Sequence, residues 1–373
     1  MTINLFILIA CFVFIAFRFR FVVQKFLQFL HNKYRNVRAS HDLREIDFVI
    51  VMKKQGLIIK AVLQAIDQLY SPRRIVIVTN TKQLKLSEQK RNHRLSDDVK
   101  TPIEYTDEEQ FFGKNLSKTV LNRYFDECVA HNNGDHREFG WWYQQLLKLG
   151  CHEVIHGLSE LYVVWDADLI PITRWPLIVD GRACTAILQD KSRSVFNEEQ
   201  YAASTHSLTD MTALRPLDSG RGGIVEKSDD KSIGTFISHH MVFKKKYVTE
   251  LLALIARRGE CSHDCKTWQH AILKQSRLFF RVSEYKMYQT FCATVYADMH
   301  QYHPYAKYGE ADTRFRDGGV FLERLTKAYD LSKPLSYADV KAFVAAQTGD
   351  NNGTDKGKYL FKRTPHYVLI DHV

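Results

Sequence analysis

The feature that most constrains the fold is an alternation of short β-branched runs with a segment of helical length. Residues 46–52 read IDFVIVM and residues 74–80 read RIVIVTN, and residues 57–69 between them carry a helical pattern of apolar side chains. This order predicts a strand, a helix and a second strand parallel to the first. We therefore expect an α/β fold with a mostly parallel sheet flanked by helices.

Composition limits the kinds of partner. The chain has 373 residues, 45% of them hydrophobic, which is enough for one large or two closely packed domains. Its 52 Lys and Arg against 42 Asp and Glu give a net charge of +10, which suits an anionic partner. The basic residues are scattered, without an RNA-binding signature or a sustained basic helix, so we expect no nucleic-acid partner.

The first 17 residues contain no charged side chain, and the apolar run continues to residue 23. A bilayer span takes about 20 apolar residues, so we predict a transmembrane or signal-anchor helix at residues 1–23 and a basic connector at 24–45. A hydrophobic helix docked on the core is the alternative. We expect a single-pass membrane protein, in the Golgi or endoplasmic reticulum if the source is eukaryotic.

The side of the membrane stays open. Basic residues after the apolar run favour a cytoplasmic main domain. The glycosylation sequons at Asn115 and Asn352 point to the opposite side, although so short a pattern arises often by chance.

The segment LYVVWDADLIP at residues 161–171 places two carboxylates, Asp166 and Asp168, at the end of an apolar run. Ligands of open parallel sheets bind beyond the carboxyl ends of the strands. Mg²⁺ and Mn²⁺ prefer one or two carboxylates together with substrate phosphate oxygens. The segment therefore predicts a divalent-cation site, with Asp166 and Asp168 as ligands, that binds a nucleotide diphosphate. A solvated turn with a capping Asp is the alternative.

Four motifs carry a family resemblance: GWWYQQLLKL at 140–149, VVWDAD at 163–168, SHHM at 238–241 and SEY at 283–285. In this order they resemble GT-A-type nucleotide-sugar glycosyltransferases, and most closely a poorly characterised glycosyltransferase-like family. The resemblance spans residues 46–300. It implies a GT-A-like fold and a hexosyltransferase-like enzyme that passes a sugar from a nucleotide-sugar donor to a hydroxyl of a glycan, lipid or protein.

The resemblance also implies residue roles. Asp166 and Asp168 would bind the metal and the donor, with Asp168 as the direct metal ligand. Gln144, Gln145 and Lys148 would contact the nucleotide or the sugar; the alternative is a solvated helix face. Residues 46–180 would form the donor-binding half, and residues 181–373 the acceptor or catalytic half with a C-terminal helical extension.

Two adjacent histidines follow a strand-like segment at residues 235–237. A neutral imidazole beside the cation could complete its shell or bind acceptor hydroxyls. Side chains alternate along a strand, so His239 and His240 cannot both face the site. We favour His240 as a third metal ligand.

Glu284 precedes a predicted helix. A carboxylate in a cleft can deprotonate an acceptor hydroxyl, so we predict Glu284 as the catalytic base. The alternative is a helix start in which Ser283 is the N-cap and Glu284 interacts favourably with the helix dipole.

Two other functions remain open. One is a nucleotidyl- or phosphotransferase with the same carboxylate pair, although the chain has no glycine-rich phosphate loop followed by Lys-Ser/Thr. The other is a non-catalytic glycan- or lipid-binding protein of the same fold. The sequence does not specify the sugar, nucleotide, acceptor, stereochemical outcome or oligomeric state.

Overall fold

The computed structural model describes residues 43–53, 58–80, 98–109, 111–130, 139–179, 181–187, 195–213, 215–216, 224–225, 236–259, 267–278, 281–296, 300–304, 324–325, 327–329, 335–347 and 367–369. The predicted anchor at residues 1–23 and nearly all of the connector at 24–45 lie outside these ranges. Within them, no helix has both the length and the apolar character needed to cross a membrane.

The strands are β1 (Asp47–Val51), β2 (Arg74–Thr79), β3 (Ile103–Asp107), β4 (Leu161–Asp166), β5 (Leu169–Pro171), β6 (Ile178–Val179), β7 (Arg182–Ile187), β8 (Arg215–Pro216), β9 (Ile224–Val225), β10 (His240–Lys244), β11 (His300–Pro304) and β12 (Tyr367–Leu369). The α-helices are α1 (Ile59–Tyr70), α2 (Lys118–Ala130), α3 (Phe139–Val154), α4 (Val195–Thr209), α5 (Lys245–Gly259), α6 (Trp268–Lys274), α7 (Glu284–Val295) and α8 (Tyr337–Ala346). Short 3-10 helices cover Leu43–Glu45, Lys114–Leu116 and Gln275–Leu278.

A five-stranded sheet forms the centre of the fold, in the order β10-β4-β1-β2-β3. Strands β1 to β4 pair in parallel, and β10 pairs antiparallel with β4 at one edge. The predicted unit of strand, helix and strand corresponds to β1, α1 and β2. The expectation of an α/β fold with a mostly parallel sheet is therefore confirmed. Smaller sheets join β11-β7-β6, β12-β5 and β8-β9.

Helices cover both faces of the central sheet, which explains why its inner strands are apolar at nearly every position. On β1, Phe48 and Ile50 face the core formed with α1 and α8. Val49 and Val51 alternate to the other face, where α3, α5 and α7 pack. The two hydrophobic cores are thus separated by the sheet.

A buried carboxylate ties together the amino ends of the strands. Asp47 accepts hydrogen bonds from Arg73 Nε at 2.7 Å and from the Ser159 backbone N–H at 2.9 Å. The Asp47 backbone N–H in turn donates to Ser159 Oγ at 2.8 Å. These contacts join β1, the start of β2 and the segment before β4, and they lie at the sheet edge opposite the carboxyl ends of the strands.

Helix α3 lies close to its neighbours because of one glycine. A Cβ on Gly150 would lie 2.3 Å from the Phe112 ring. That ring already packs edge-on against Phe111, Tyr143 and Trp268. Gly150 therefore sets the position of the helix that carries Gln144, Gln145 and Lys148.

Candidate functional site

Asp166 is the last residue of β4 and lies at the carboxyl edge of the sheet. Side chains alternate along the strand, so Trp165 faces α1 while Asp166 faces α3 and α7. Trp165 packs against Phe48 and Tyr70, and its indole N–H donates to the Leu169 carbonyl at 2.8 Å. That hydrogen bond closes the two-residue turn that carries Asp168.

Lys148 of α3 lies between two carboxylates. Its Nζ is 2.6 Å from Asp166 Oδ1 and 2.7 Å from Glu284 Oε1. The side chains of Lys148 and Glu284 are each 3% exposed. A buried ion is stable only when it is paired and hydrogen-bonded, so these three groups form one electrostatic unit.

Two further side chains hold the Asp166 carboxylate. The Tyr285 hydroxyl donates to Asp166 Oδ1 at 2.7 Å, and His239 Nδ1 lies 3.0 Å from Asp166 Oδ2. The Asp166 backbone N–H donates to the His239 carbonyl at 2.9 Å. His239 adopts a left-handed backbone conformation with φ 62°, which is uncommon for a residue other than glycine. Both oxygens of Asp166 are thus engaged.

The surroundings shift the pKa of each of the three charged groups, Asp166, Lys148 and Glu284. Burial alone would raise the pKa of Asp166, but Lys148 and His239 hold it below its usual value. Burial alone would lower the pKa of Lys148, but Asp166 and Glu284 raise it above the ordinary value. Burial raises the pKa of Glu284, and Asp166 adds to this effect while Lys148 opposes it. Lys148 and Asp166 are therefore an ion pair, and Glu284 is the weaker of the two acids.

Glu284 is the first residue of α7, and the helix start is capped. The Ser283 hydroxyl accepts from the Lys286 backbone N–H at 3.3 Å, so Ser283 is the N-cap. Gln145 Oε1 accepts from the Glu284 backbone N–H at 3.4 Å. The capping arrangement considered from the sequence is present, and the role of Glu284 as catalytic base stays a prediction.

The predicted donor-binding residues of α3 differ in exposure. Gln145 and Lys148 are buried, and their polar atoms face Glu284 and Asp166. Gln144 is partly exposed. Their contacts with a donor stay predictions.

His240 is the first residue of β10, and its role as a metal ligand stays a prediction. His240 pairs with Trp165 in the sheet, and its ring lies 4.8 Å from that of Trp165 and 6.2 Å from that of Trp175. Burial lowers the pKa of His240 to about 4, so the imidazole is neutral. Residues 236–239 are not in a strand, contrary to the strand-like interpretation, and the left-handed His239 presents its own ring to Asp166.

Asp168 follows Asp166 by two residues, and its role as a ligand of a cation stays a prediction. It lies partly exposed in the turn after β4. Burial raises the pKa of Tyr285, and the negative charge of Asp168 is among the smaller causes of that rise. Among the described residues no group of three His, Cys, Asp or Glu side chains is arranged to hold a metal ion. Asp166 and Asp168 supply two carboxylates at this edge of the sheet, and Mg²⁺ is commonly held by one or two carboxylates when substrate phosphates provide further ligands.

Sequence reasoning missed His239 and Tyr285 as partners of Asp166, as well as the ion pair between Lys148 and Glu284. The available signal was the place of Lys148 within the apolar run of residues 146–149. A lysine there faces the core, and a buried lysine needs a carboxylate partner. The pattern gave no indication of which carboxylate that is.

Comparisons with known proteins give a family and several weak structural likenesses. The model of a family of unknown function, DUF6492, matches residues 60–353. No curated protein matches the sequence. The first of three solved structures similar to the chain is mouse xyloside xylosyltransferase 1 (TM-score 0.37, 12% identity, 76% of this chain and 93% of that one).

The second is core-mannan synthase A from Aspergillus fumigatus in an Mn/GDP form (TM-score 0.39, 10% identity, 71% and 74%). The third is 4-diphosphocytidyl-2C-methyl-D-erythritol synthase from Anaerococcus prevotii (TM-score 0.34, 8% identity, 71% and 90%). The family match covers most of the chain, and the protein belongs to the DUF6492 family.

Proposed function

We propose that this protein is a glycosyltransferase that binds a nucleotide-sugar donor with Mn²⁺ or Mg²⁺ at the carboxyl edge of β4. It passes the sugar to a hydroxyl of a glycan, lipid or protein. One observation carries the proposal: Asp166, at the carboxyl end of a central parallel strand, is held by Lys148, Tyr285 and His239, and Asp168 follows on the adjoining turn. Ligands of open α/β sheets bind at this edge.

Each residue of the site would have its own role in binding the donor or the cation. Asp168 would hold the cation together with the donor diphosphate. When bound, the cation would neutralise the negative charge of the departing diphosphate. Lys148, Tyr285 and His239 fix the Asp166 carboxylate toward the donor before any ligand arrives, so that no rearrangement is needed on binding. Gln144, partly exposed on the same helix, would contact the nucleotide or the sugar.

The two halves of the chain would bind different substrates. Residues 46–180 would bind the donor and residues 181–373 the acceptor. A membrane anchor at residues 1–23, in the Golgi or endoplasmic reticulum of a eukaryotic cell, would suit an enzyme that acts on lipid-linked or secretory acceptors.

The test is metal-dependent donor hydrolysis across a panel of nucleotide sugars, with release of the nucleoside diphosphate as the readout. We expect Asp168→Asn to lower the rate about a hundredfold, because the ligand of the cation is lost. Asp126→Asn is the matched control, since Asp126 is exposed on α2, away from the site, and should leave the rate unchanged.

Equal rates in wild type and Asp168→Asn would contradict the proposal. Release of pyrophosphate instead of a nucleoside diphosphate would point to the nucleotidyltransferase alternative.

A further inference from the structure

The position of Lys148 constrains how the acidic pair can be used. Its Nζ lies 2.6 Å from Asp166 Oδ1, which also accepts the Tyr285 hydroxyl, while His239 Nδ1 lies 3.0 Å from Asp166 Oδ2, so a directly bound cation would meet an oxygen that already has a partner. Metal–oxygen distances for Mg²⁺ are about 2.1 Å, so a metal on Asp166 Oδ1 would lie about 4 Å from the ammonium nitrogen. Two cations about 4 Å apart repel each other, and the repulsion is stronger in a poorly hydrated site than in water.

The surroundings of Lys148 keep it in place. Asp166 contacts it from β4 and Glu284 contacts it from α7, while its Nζ lies 4.8 Å from the centre of the Tyr285 ring. Glu284 is fixed in turn, because its backbone N–H donates to Gln145 Oε1. The ammonium group therefore has a carboxylate on each side and an aromatic face nearby.

We propose that Lys148 is a built-in counter-cation for Asp166, anchored from the opposite side by Glu284. Asp166 is then a neutralised positioning residue rather than a metal ligand, and Asp168 is the acid that meets the divalent cation. Glu284 acts on Asp166 through Lys148. The inference rests on the proposed function for the identity of the cation as Mn²⁺ or Mg²⁺.

The test is Mn²⁺ binding without nucleotide, measured from the electron paramagnetic resonance signal of free Mn²⁺. The key variant is Lys148→Gln/Glu284→Gln, which removes one positive and one negative charge and leaves two amides that can hydrogen-bond to each other. We expect this variant to bind Mn²⁺ about tenfold more tightly than wild type, because Asp166 becomes available as a ligand. Adding Asp166→Asn should abolish the gain.

A merely structural role of Lys148 would give a different result. Arg73→Gln weakens the ion pair with the buried Asp47 at the opposite edge of the sheet, so it is the matched control for lost stability. It should lower the melting temperature and leave Mn²⁺ affinity unchanged. Unchanged or weaker Mn²⁺ binding by Lys148→Gln/Glu284→Gln would overturn the proposal, as would a gain that persists after Asp166→Asn is added.

If the double variant does not fold, the single variant Asp166→Asn provides a second test. Asp166→Asn keeps Lys148 and Glu284 paired, so each remaining charge of the cluster still has a partner. Its Mn²⁺ affinity should stay within about threefold of wild type, whereas a tenfold loss would make Asp166 a ligand and overturn the proposal.

A different measurement, nucleotide binding in the presence of Mn²⁺, tests the proposed function itself. A protein in which Mn²⁺ promotes binding of neither UDP nor GDP lacks the proposed donor site, whatever the Lys148 variants do to binding of the metal alone.

Discussion

Tyr285 donates its hydroxyl hydrogen bond to Asp166 at 2.7 Å and so joins the first turn of α7 to the end of β4. The two residues are 119 positions apart in the chain, and both belong to the motifs that suggested a glycosyltransferase. The contact makes the position of the Asp166 carboxylate depend on the packing of α7.

Removal of the Tyr285 hydroxyl should weaken donor binding. A hydrogen bond to a charged group contributes roughly 1.5–3 kcal/mol, so Tyr285→Phe should weaken Mn²⁺-dependent binding of UDP or GDP about tenfold in calorimetry. Tyr288→Phe is the control on the same helix, because the Tyr288 hydroxyl accepts from the Lys244 backbone N–H, away from Asp166. Wild-type affinity in Tyr285→Phe would show that the contact does not position the site.

Two glycines of α3 should respond to alanine in opposite ways. Gly150→Ala places a Cβ against the Phe112 ring, which packs edge-on against three aromatic neighbours, and overpacking of this kind costs about 1–3 kcal/mol. At Gly140 no atom lies within 4 Å of an added Cβ, so Gly140→Ala should stabilise by up to about 1 kcal/mol. Urea unfolding measures both, and equal effects would contradict this account of how α3 is placed.

The buried carboxylate at the amino edge of the sheet should control stability but not binding. Asp47 is fully buried and pairs with Arg73 and Arg74. Asp47→Asn leaves the guanidinium groups without their anion, and because the Arg73 side chain is 42% exposed to water, we expect a loss of about 1–3 kcal/mol. Urea unfolding should show that loss, and calorimetry should show nucleotide affinity close to wild type. A loss below about 1 kcal/mol would mean that the network contributes little.

Acid should destabilise the fold partly through His300. Burial, with the nearby Lys244, lowers the pKa of His300 from 6.5 to about 4. The unfolded chain therefore binds more protons between about pH 6.5 and pH 4, and stability falls as the pH drops through this window. One histidine contributes at most about 1.4 kcal/mol per pH unit.

His300→Gln should therefore reduce the slope of unfolding free energy against pH between pH 6.5 and pH 5 by up to that amount. His206→Gln, at an exposed position on α4, is the control and should leave the slope as it is. A slope unchanged by His300→Gln would contradict the assignment.

Local patterns were sufficient to predict the central unit of the fold. The sequence predicted strands at 46–52 and 74–80 around a helix at 57–69, and these correspond to β1, β2 and α1. Apolar runs bounded by polar residues predict such elements because both faces of the sheet are covered. The antiparallel pairing of β10 with β4 was not predictable, because it joins segments far apart in the chain.

The site itself was predicted less completely than the fold. The end of β4 at Asp166 follows from the change from apolar residues to acids. The partners of Asp166 come from α3, α7 and the residue before β10, so only tertiary packing brings them together. The two adjacent histidines are an example. His239 contacts Asp166 because its backbone is in the left-handed conformation, and no pattern in the sequence predicts that conformation.

Calorimetric titration with UDP and GDP, each with Mn²⁺ and then with excess EDTA, tests the central claim most directly. The account predicts that at least one of the two nucleotides binds with Mn²⁺, that EDTA abolishes the binding, and that Asp168→Asn does not bind. Binding of neither nucleotide, or equal binding in EDTA and in Asp168→Asn, would contradict a cation and diphosphate site at the carboxyl end of β4.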